Sequence, residues 1–197
     1  MTHPDPILFS LQQLTIDLSL IKRNHNLAKT NQKENDIEHS LTVALLCWYI
    51  HDRYNLKLDI SKILKYAITH DFVERYAGDV NTFASADERN AKVLREQESL
   101  IRLSDEFSDF QDMAVSMQNY ELRQDDESLF VWTVDKMQGL IMGDMNNWRP
   151  YAEIGITYDQ FVIKYKELSE KSSEYCKEIF EGLIEYSKST YYDRPTS

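Results

Sequence analysis

The stretch His70-Asp71-Phe72-Val73-Glu74-Arg75-Tyr76-Ala77-Gly78-Asp79 decides how this chain is read. It follows a segment in which Ile63, Ala67, His70 and Glu74 fall on one helical stripe, with Leu64, Ile68 and Asp71 beside it. Asp59 is placed to cap that helix and Gly78 to end it. An imidazole and two carboxylates therefore face the interior. Unpaired, each such group costs on the order of several kcal/mol to bury, and a shared cation relieves that cost.

His70 and Asp71 are consecutive, so on a helix they point about 100° apart and cannot share a stripe. Both reach one ion only if it lies in the groove between this helix and its neighbours, which must bring further ligands. His39 and Asp135 are the candidates. His39 stands just after Asn35 and Glu38, which have capping-box spacing, and Asp135 falls on a stripe with Val131, Trp132, Gly139 and Met142. Two imidazoles and two carboxylates suit one divalent ion such as Mn, Fe, Co, Ni or Zn, with Mg also admissible. His3, His25 and His51 do not fall where a second ion needs them, which favours a mononuclear centre. Glu74 lies one turn after His70 and faces the same groove, as a base or acid beside the reacting water. A bound cation lowers the pKa of water from about 15.7 to about 7 and polarises a phosphoryl oxygen, so phosphoester hydrolysis follows from this set.

Further out, Ile7, Leu11, Leu14, Leu18 and Ile21 recur at helical spacing and predict an opening helix from about Ile7 to Lys22. A polar loop through Lys29-Thr30-Asn31-Gln32-Lys33 leads to an apolar run from Leu41 to Ile50, expected as a central helix buried on all sides. Ser85 and Glu88 open another helix through Leu103, and two more are expected from about Glu106 to Tyr120 and from about Glu127 to Met142. The turn-forming run from Gly143 to Pro150 reads as a loop, and Thr157 with Gln160 starts one long last helix through Leu183. The tail from Tyr191 is expected to fray. No stretch alternates convincingly at period two, so the fold is expected to be all-α, with 1–197 as a single domain.

Composition narrows the partners. Hydrophobic residues make up 42% and charged residues 28%, with five Gly and four Pro, the balance of a soluble helical protein. A net charge of -11 argues against a nucleic acid polymer, which is bound mainly through clustered Lys and Arg, but leaves a small phosphorylated substrate open. Cys47 and Cys176 form neither a disulfide framework nor a zinc-ligand pair, which points to a reducing cytoplasm. The residues from Met1 to Ser10 lack a basic region ahead of an apolar core, and Leu41 to Ile50 is too short to span a bilayer, so no membrane association is expected.

The order His39, then His70-Asp71, then Asp135 resembles the HD-domain phosphohydrolase superfamily, and the chain is similar to its bacterial 5′-deoxynucleotidase branch. The matching residues are Glu34-Asn35-Asp36-Ile37-Glu38-His39-Ser40, the stretch from His70 to Asp79, and Asp135-Lys136. The resemblance implies an HD-domain helical bundle that holds one divalent ion through His39, His70, Asp71 and Asp135. It also implies that Glu74 and Asp79 orient the attacking water or pass a proton to the leaving 5′ oxygen. In that branch an Arg followed by Trp contacts the nucleotide; here Arg23 is followed by Asn24. From Val80 to Asn90 the sole cation is Arg89, and Lys92 follows on the next helix, so the charge that receives the phosphate is expected from Arg23, Lys92 or a neighbouring subunit. The expected reaction is dephosphorylation of deoxynucleoside 5′-monophosphates. A deoxynucleoside triphosphate triphosphohydrolase and a nucleotide-binding protein without turnover are the alternatives. A homodimer or higher homo-oligomer is expected, since the last helix is rich in aromatic and aliphatic residues and the branch commonly dimerises.

Plainer roles fit other residues. His51-Asp52 repeats the His-Asp doublet beside Arg53 and reads as capping or solvated, while Trp132 and Trp148 read as packing residues. Gln124-Asp125-Asp126-Glu127 reads as a solvated helix start.

Overall fold

Asp5 accepts a hydrogen bond from the Ile7 amide and Pro6 occupies the first helical position, so α1 runs from Pro6 to Leu20. Ile21 turns extended and ends it slightly short of Lys22. The computed structural model describes residues 5–28 and 30–191. Lys29 of the expected loop and the tail beyond Tyr191 lie outside the described residues. The rest of that loop is flanked by two short antiparallel strands, β1 (Lys22–Asn26) and β2 (Lys33–Asn35), which the sequence does not announce because neither carries an apolar alternation.

The capping box at Asn35 and Glu38 is present. The Asn35 side chain accepts from the amides of Ile37 and Glu38 at 3.0 and 3.1 Å, and Glu38 accepts from the Asn35 amide at 3.0 Å. It opens α2 (Asp36–Arg53), whose Val43, Ala44, Cys47 and Ile50 are buried. The expectation of burial on all sides is corrected here: Leu41, Leu45, Trp48 and Tyr49 form an exposed apolar face.

Asp59 caps α3 (Ile60–Thr69). The helix does not continue to Gly78, as the stripe suggested. From Thr69 to Tyr76 most backbone bonds span three residues instead of four, among them Phe72 to Thr69, Glu74 to Asp71 and Arg75 to Phe72, so the chain winds more tightly. A single further turn, α4 (Glu74–Ala77), ends at Gly78 with φ +74° and ψ 153°, backbone angles essentially restricted to glycine. His70 and Asp71 thus sit in a turn at the end of α3, not on a continuous stripe.

Ser85 and Glu88 open α5 (Ala86–Glu106), which outlasts the expected Leu103, and α6 (Gln111–Leu122) starts correspondingly late. Asp125 caps α7 (Asp126–Met145), which carries through part of the expected loop, and α8 (Arg149–Glu153) takes up its end. The expected single last helix is two, α9 (Tyr158–Glu170) and α10 (Lys177–Tyr191). Serines break it: Ser172 donates to the Ser169 carbonyl, and the Ser173 amide donates to Thr133 Oγ1 on α7 at 2.8 Å.

The architecture is an all-α bundle with one small hairpin. Cys47, Ile63, Tyr66, Phe130, Phe161 and Phe180 anchor one core, built from α2, α3, α7, α9 and α10. Leu14, Leu18, Leu103, Phe107, Met113 and Met117 anchor a second, under α1, α5 and α6. Ala67 belongs to the first and Val73 to the second, so the turn carrying His70 and Asp71 joins the two. Each fully buried side chain of this size contributes about 1.5–3 kcal/mol, so the turn is held from both sides. Among the described residues no helix is long and apolar enough to cross a membrane.

Candidate active site

Three of the core helices, α2, α3 and α7, deliver the ligands of the site. α2 buries His39 in its first turn, and α7 brings Asp135, whose Oδ1 lies 3.0 Å from His39 Nε2. The turn after α3 fixes His70 by a hydrogen bond of 2.9 Å from Nδ1 to the Ala67 carbonyl, which leaves Nε2 facing the cluster. Donor atoms of His39, His70 and Asp135 all lie within 4.8 Å of one another. Asp71 Oδ2 is 3.6 Å from His39 Nε2 and 3.2 Å from His70 Nε2. All four residues selected from the sequence as ligands are therefore brought together.

A second group adjoins them: Asp36, Asp71 and Glu74 also place carboxylate oxygens within 4.8 Å of one another. The sequence reading gave Asp36 and Glu34 no role, because acids around a helix start look like ordinary dipole partners. In the structure they are only 1% and 2% exposed. Gln138 donates to Glu34 at 2.8 Å, and the other Glu34 oxygen stands 3.7 Å behind His39 Nδ1, beyond hydrogen-bond distance, so both atoms are buried without a hydrogen bond.

Arg23 comes from β1 into the middle of these acids. Its guanidinium binds Asp71 and lies 3.4 Å from Asp36 and 3.9 Å from both Glu34 and Glu74. Lys92, from α5, binds Glu74 at 2.8 Å. Lys136, a further cation that was missed, binds Asp135 at 2.6 Å; its adjacency to Asp135 was the available signal. Asp79 lies just past Gly78 and lines the same cavity, together with Arg23, Lys92 and Lys136. Arg89 turns away to the Ala84 carbonyl.

Carboxyl groups outnumber the basic side chains around them. Among the described residues, Glu34, Asp36, Asp71, Glu74, Asp79 and Asp135 stand in or behind the cavity wall against the cations Arg23, Lys92 and Lys136. Burial and the charge of Asp71 push Glu74 up to about 8 and Asp36 up to about 7. Burial opposes the charge on His70, but Asp71 and Asp135 raise it to about 9. Burial also opposes ionisation of Asp71, which His70 and Arg23 nevertheless hold well below the usual carboxylate range. Lys136 and His39 do the same for Asp135 against its burial. The carboxyl groups of Asp36 and Glu74 each keep one buried oxygen without a hydrogen-bond partner.

This arrangement agrees with the comparisons. The sequence pattern of the HD domain matches residues 17–176. The chain belongs to the HD-domain family. Among curated proteins none matches it significantly. The HD-domain fold of this protein is similar to that of a predicted metal-dependent phosphohydrolase from Magnetospirillum magnetotacticum MS-1, with TM-score 0.77 over 98% of this chain and 99% of that one at 21% identity. A conserved hypothetical protein from Pyrococcus furiosus has TM-score 0.60 at 19% identity, covering 90% of this chain and 99% of that one. A protein from Pyrococcus horikoshii OT3 has TM-score 0.59 at 17% identity, covering 90% and 98%.

The residues of this HD-domain protein fit a divalent ion. Two imidazole nitrogens and two carboxylate oxygens converge, His70 Nε2 has no hydrogen bond, and Asp36 and Glu74 each keep an oxygen without one, a donor set that a divalent ion would complete. His51 has the structural role expected of the second doublet, with Nε2 bonded to the Leu58 carbonyl at 3.0 Å. Trp148 is buried among aromatic rings, and Trp132 packs beside Arg123 and Lys136. Asp125 and Glu127 do more than solvate: both bind Lys62 at 3.1 Å.

Proposed function

We propose that this HD-domain protein is a metal-dependent phosphohydrolase acting on small nucleotides, and that its substrates are deoxynucleoside 5′-monophosphates. The observation that carries the reading is the convergence of His39, His70, Asp71 and Asp135, three of which, His39, Asp71 and Asp135, line a cavity together with Arg23, Lys92 and Lys136. The likeness in fold to a protein named as a predicted metal-dependent phosphohydrolase supports it. The four residues would hold one divalent ion, whose chemistry is Lewis acidity toward a phosphoryl oxygen and a lowered pKa for water.

The remaining groups are arranged around the reacting phosphate. Glu74 has one oxygen fixed by Lys92 and the other without a hydrogen bond, 3.9 Å from Arg23; burial and Asp71 hold its pKa near 8, and its ionised form is the base that takes a proton from the attacking water. Asp79, across Gly78 on the same cavity, is placed to return a proton to the leaving 5′ oxygen. Arg23, Lys92 and Lys136 oppose the charge that builds on the phosphoryl oxygens as the nucleophile adds. The proton that Glu74 takes from the water passes by way of Asp79 to the leaving 5′ oxygen, so the products are inorganic phosphate and a nucleoside.

The test is a screen of deoxynucleoside and ribonucleoside mono- and triphosphates against several divalent ions, with phosphate and tripolyphosphate measured separately. Phosphate from the deoxynucleoside monophosphates is expected. Tripolyphosphate from triphosphates would replace this substrate assignment, and release of neither product by metal-loaded protein would refute phosphohydrolase activity on nucleotides.

A further inference from the structure

The cavity has two unlike ends. One carries the cluster described above, with every charged side chain of the lining. The other is uncharged and walled by Phe83, Tyr151 and Tyr165, with Gly139 at its floor and His25 at its side.

Several elements join to build this second end. Arg23 and His25 both line the cavity from β1, whose register is irregular between Lys22 and Asn26, and Arg23 meets the acids while His25 meets the aromatic rings. The His25 ring meets Tyr151 edge-on at 5.5 Å between centroids, and Phe83 meets Tyr151 edge-on at 5.7 Å. Tyr151 and Tyr165 join their hydroxyls at 2.9 Å, and Tyr151 lies 3.2 Å from the Gly139 carbonyl. Gly139 follows Asp135 by one turn of α7, a rise of about 6 Å, which is the scale of a pentose between a phosphate and the ring it carries.

His25 is otherwise unexplained. Its Nδ1 is buried without a hydrogen-bond partner, and burial lowers its pKa to about 4, so the ring is neutral and offers one donor and one acceptor. A buried nitrogen left unpaired is costly, and a ligand bonding to it would recover that cost.

We propose that this end of the cavity is a subsite for a planar, uncharged heterocycle, seated against Phe83 and Tyr151 and hydrogen-bonded by His25. Because it concerns the group attached to the phosphate, the inference rests on the phosphohydrolase reading. Aromatic faces supply stacking that many rings satisfy, and His25 supplies the directional contact that separates a nucleobase from a plain apolar group. Phosphate esters without a ring leave the subsite unfilled.

Two variants test it. His25→Phe keeps the ring shape and removes both nitrogens. Ile154→Trp alters a residue that lines the cavity and is 47% exposed, so it narrows the subsite with little effect on the core. Thermal melting confirms that each is folded. Binding of an unphosphorylated nucleoside, deoxyadenosine or thymidine, is measured by calorimetry, and a tenfold or greater loss of affinity is expected in both variants, on the scale of about 1.4 kcal/mol per tenfold. In hydrolysis, the ratio of kcat/KM for a nucleoside monophosphate to that for glycerol phosphate is expected to fall at least tenfold. Nucleoside that fails to bind the wild type, or binds both variants equally well, would overturn the subsite. If neither phosphate ester is hydrolysed, the phosphohydrolase reading fails, while nucleoside binding and its loss in the variants still decide the subsite.

Discussion

Glu74 carries one oxygen tied to Lys92 and one with no hydrogen bond, 3.9 Å from Arg23, and that asymmetry suits a proton acceptor better than a ligand. Glu74→Gln preserves shape and removes the basic oxygen. Phosphate release is expected to fall by about a hundredfold to ten-thousandfold while metal content per chain, measured by elemental analysis, stays the same. An unchanged rate would mean that Glu74 only balances Lys92. His25 gives a pH dependence of stability. Its pKa is lowered to about 4 in the fold by burial, against about 6.5 in the unfolded chain, so the unfolded chain binds more protons between those values. The stability tied to neutral His25 is complete above about pH 6.5 and is lost as pH falls toward about 4. Urea unfolding of His25→Phe is expected to show a shallower loss of stability between about pH 7 and about pH 5 than the wild type. Both residues show where reading by type succeeds and where it stops. An acid one turn from a His-Asp pair is a recognisable signal, whereas a histidine in a polar stretch becomes significant only beside Tyr151.

Among the elements, the capped helices were the most legible. Asn35 with Glu38, Ser85 with Glu88 and Thr157 with Gln160 each form the box that their spacing predicts, because a cap is a contact within four residues. Two of the misreadings share a cause. The turn from His70 to Val73 and the break after Glu170 depend on partners remote in sequence, such as Ser99 for Val73 and Thr133 for Ser173, while the β1–β2 hairpin is local but lacks an apolar alternation. Periodicity carries no trace of such partners. Gly78 is the element-scale hinge: it ends α4 and aims Asp79 at the cavity from a backbone conformation that an L side chain rarely adopts. A Cβ there meets nothing within 4 Å, so Gly78→Ala is expected to destabilise through the backbone alone, by about 1–3 kcal/mol in chemical denaturation. Gly143 works in the opposite way, since a Cβ there would lie 2.7 Å from Tyr151 and 2.8 Å from Trp148; glycine lets α7 and α8 approach.

For the whole molecule, the surplus of buried carboxyl groups links folding to the ion. A cation that binds the folded chain and not the unfolded one stabilises it by about 2.7 kcal/mol at a hundredfold excess over its Kd. For a domain of this size that corresponds to about 5–10 °C, so chelation is expected to lower Tm by that amount, with recovery when a divalent ion is restored. An unchanged Tm would show that the acids are balanced by protons and by Arg23, Lys92 and Lys136 alone. By itself the sequence determined the helical class, most helix starts, and the residue types able to hold a metal, since these follow from spacing over a few residues and from the chemistry of each side chain. Only the tertiary structure decided that His39, Asp135 and the turn at His70 meet, that Glu34, Asp36 and Lys136 join them, and that Arg23 is paired from within. Those relations are distances between segments as many as 104 residues apart, as in the bond from Gln138 to Glu34, and they come into being only when the two cores close around the turn that joins them.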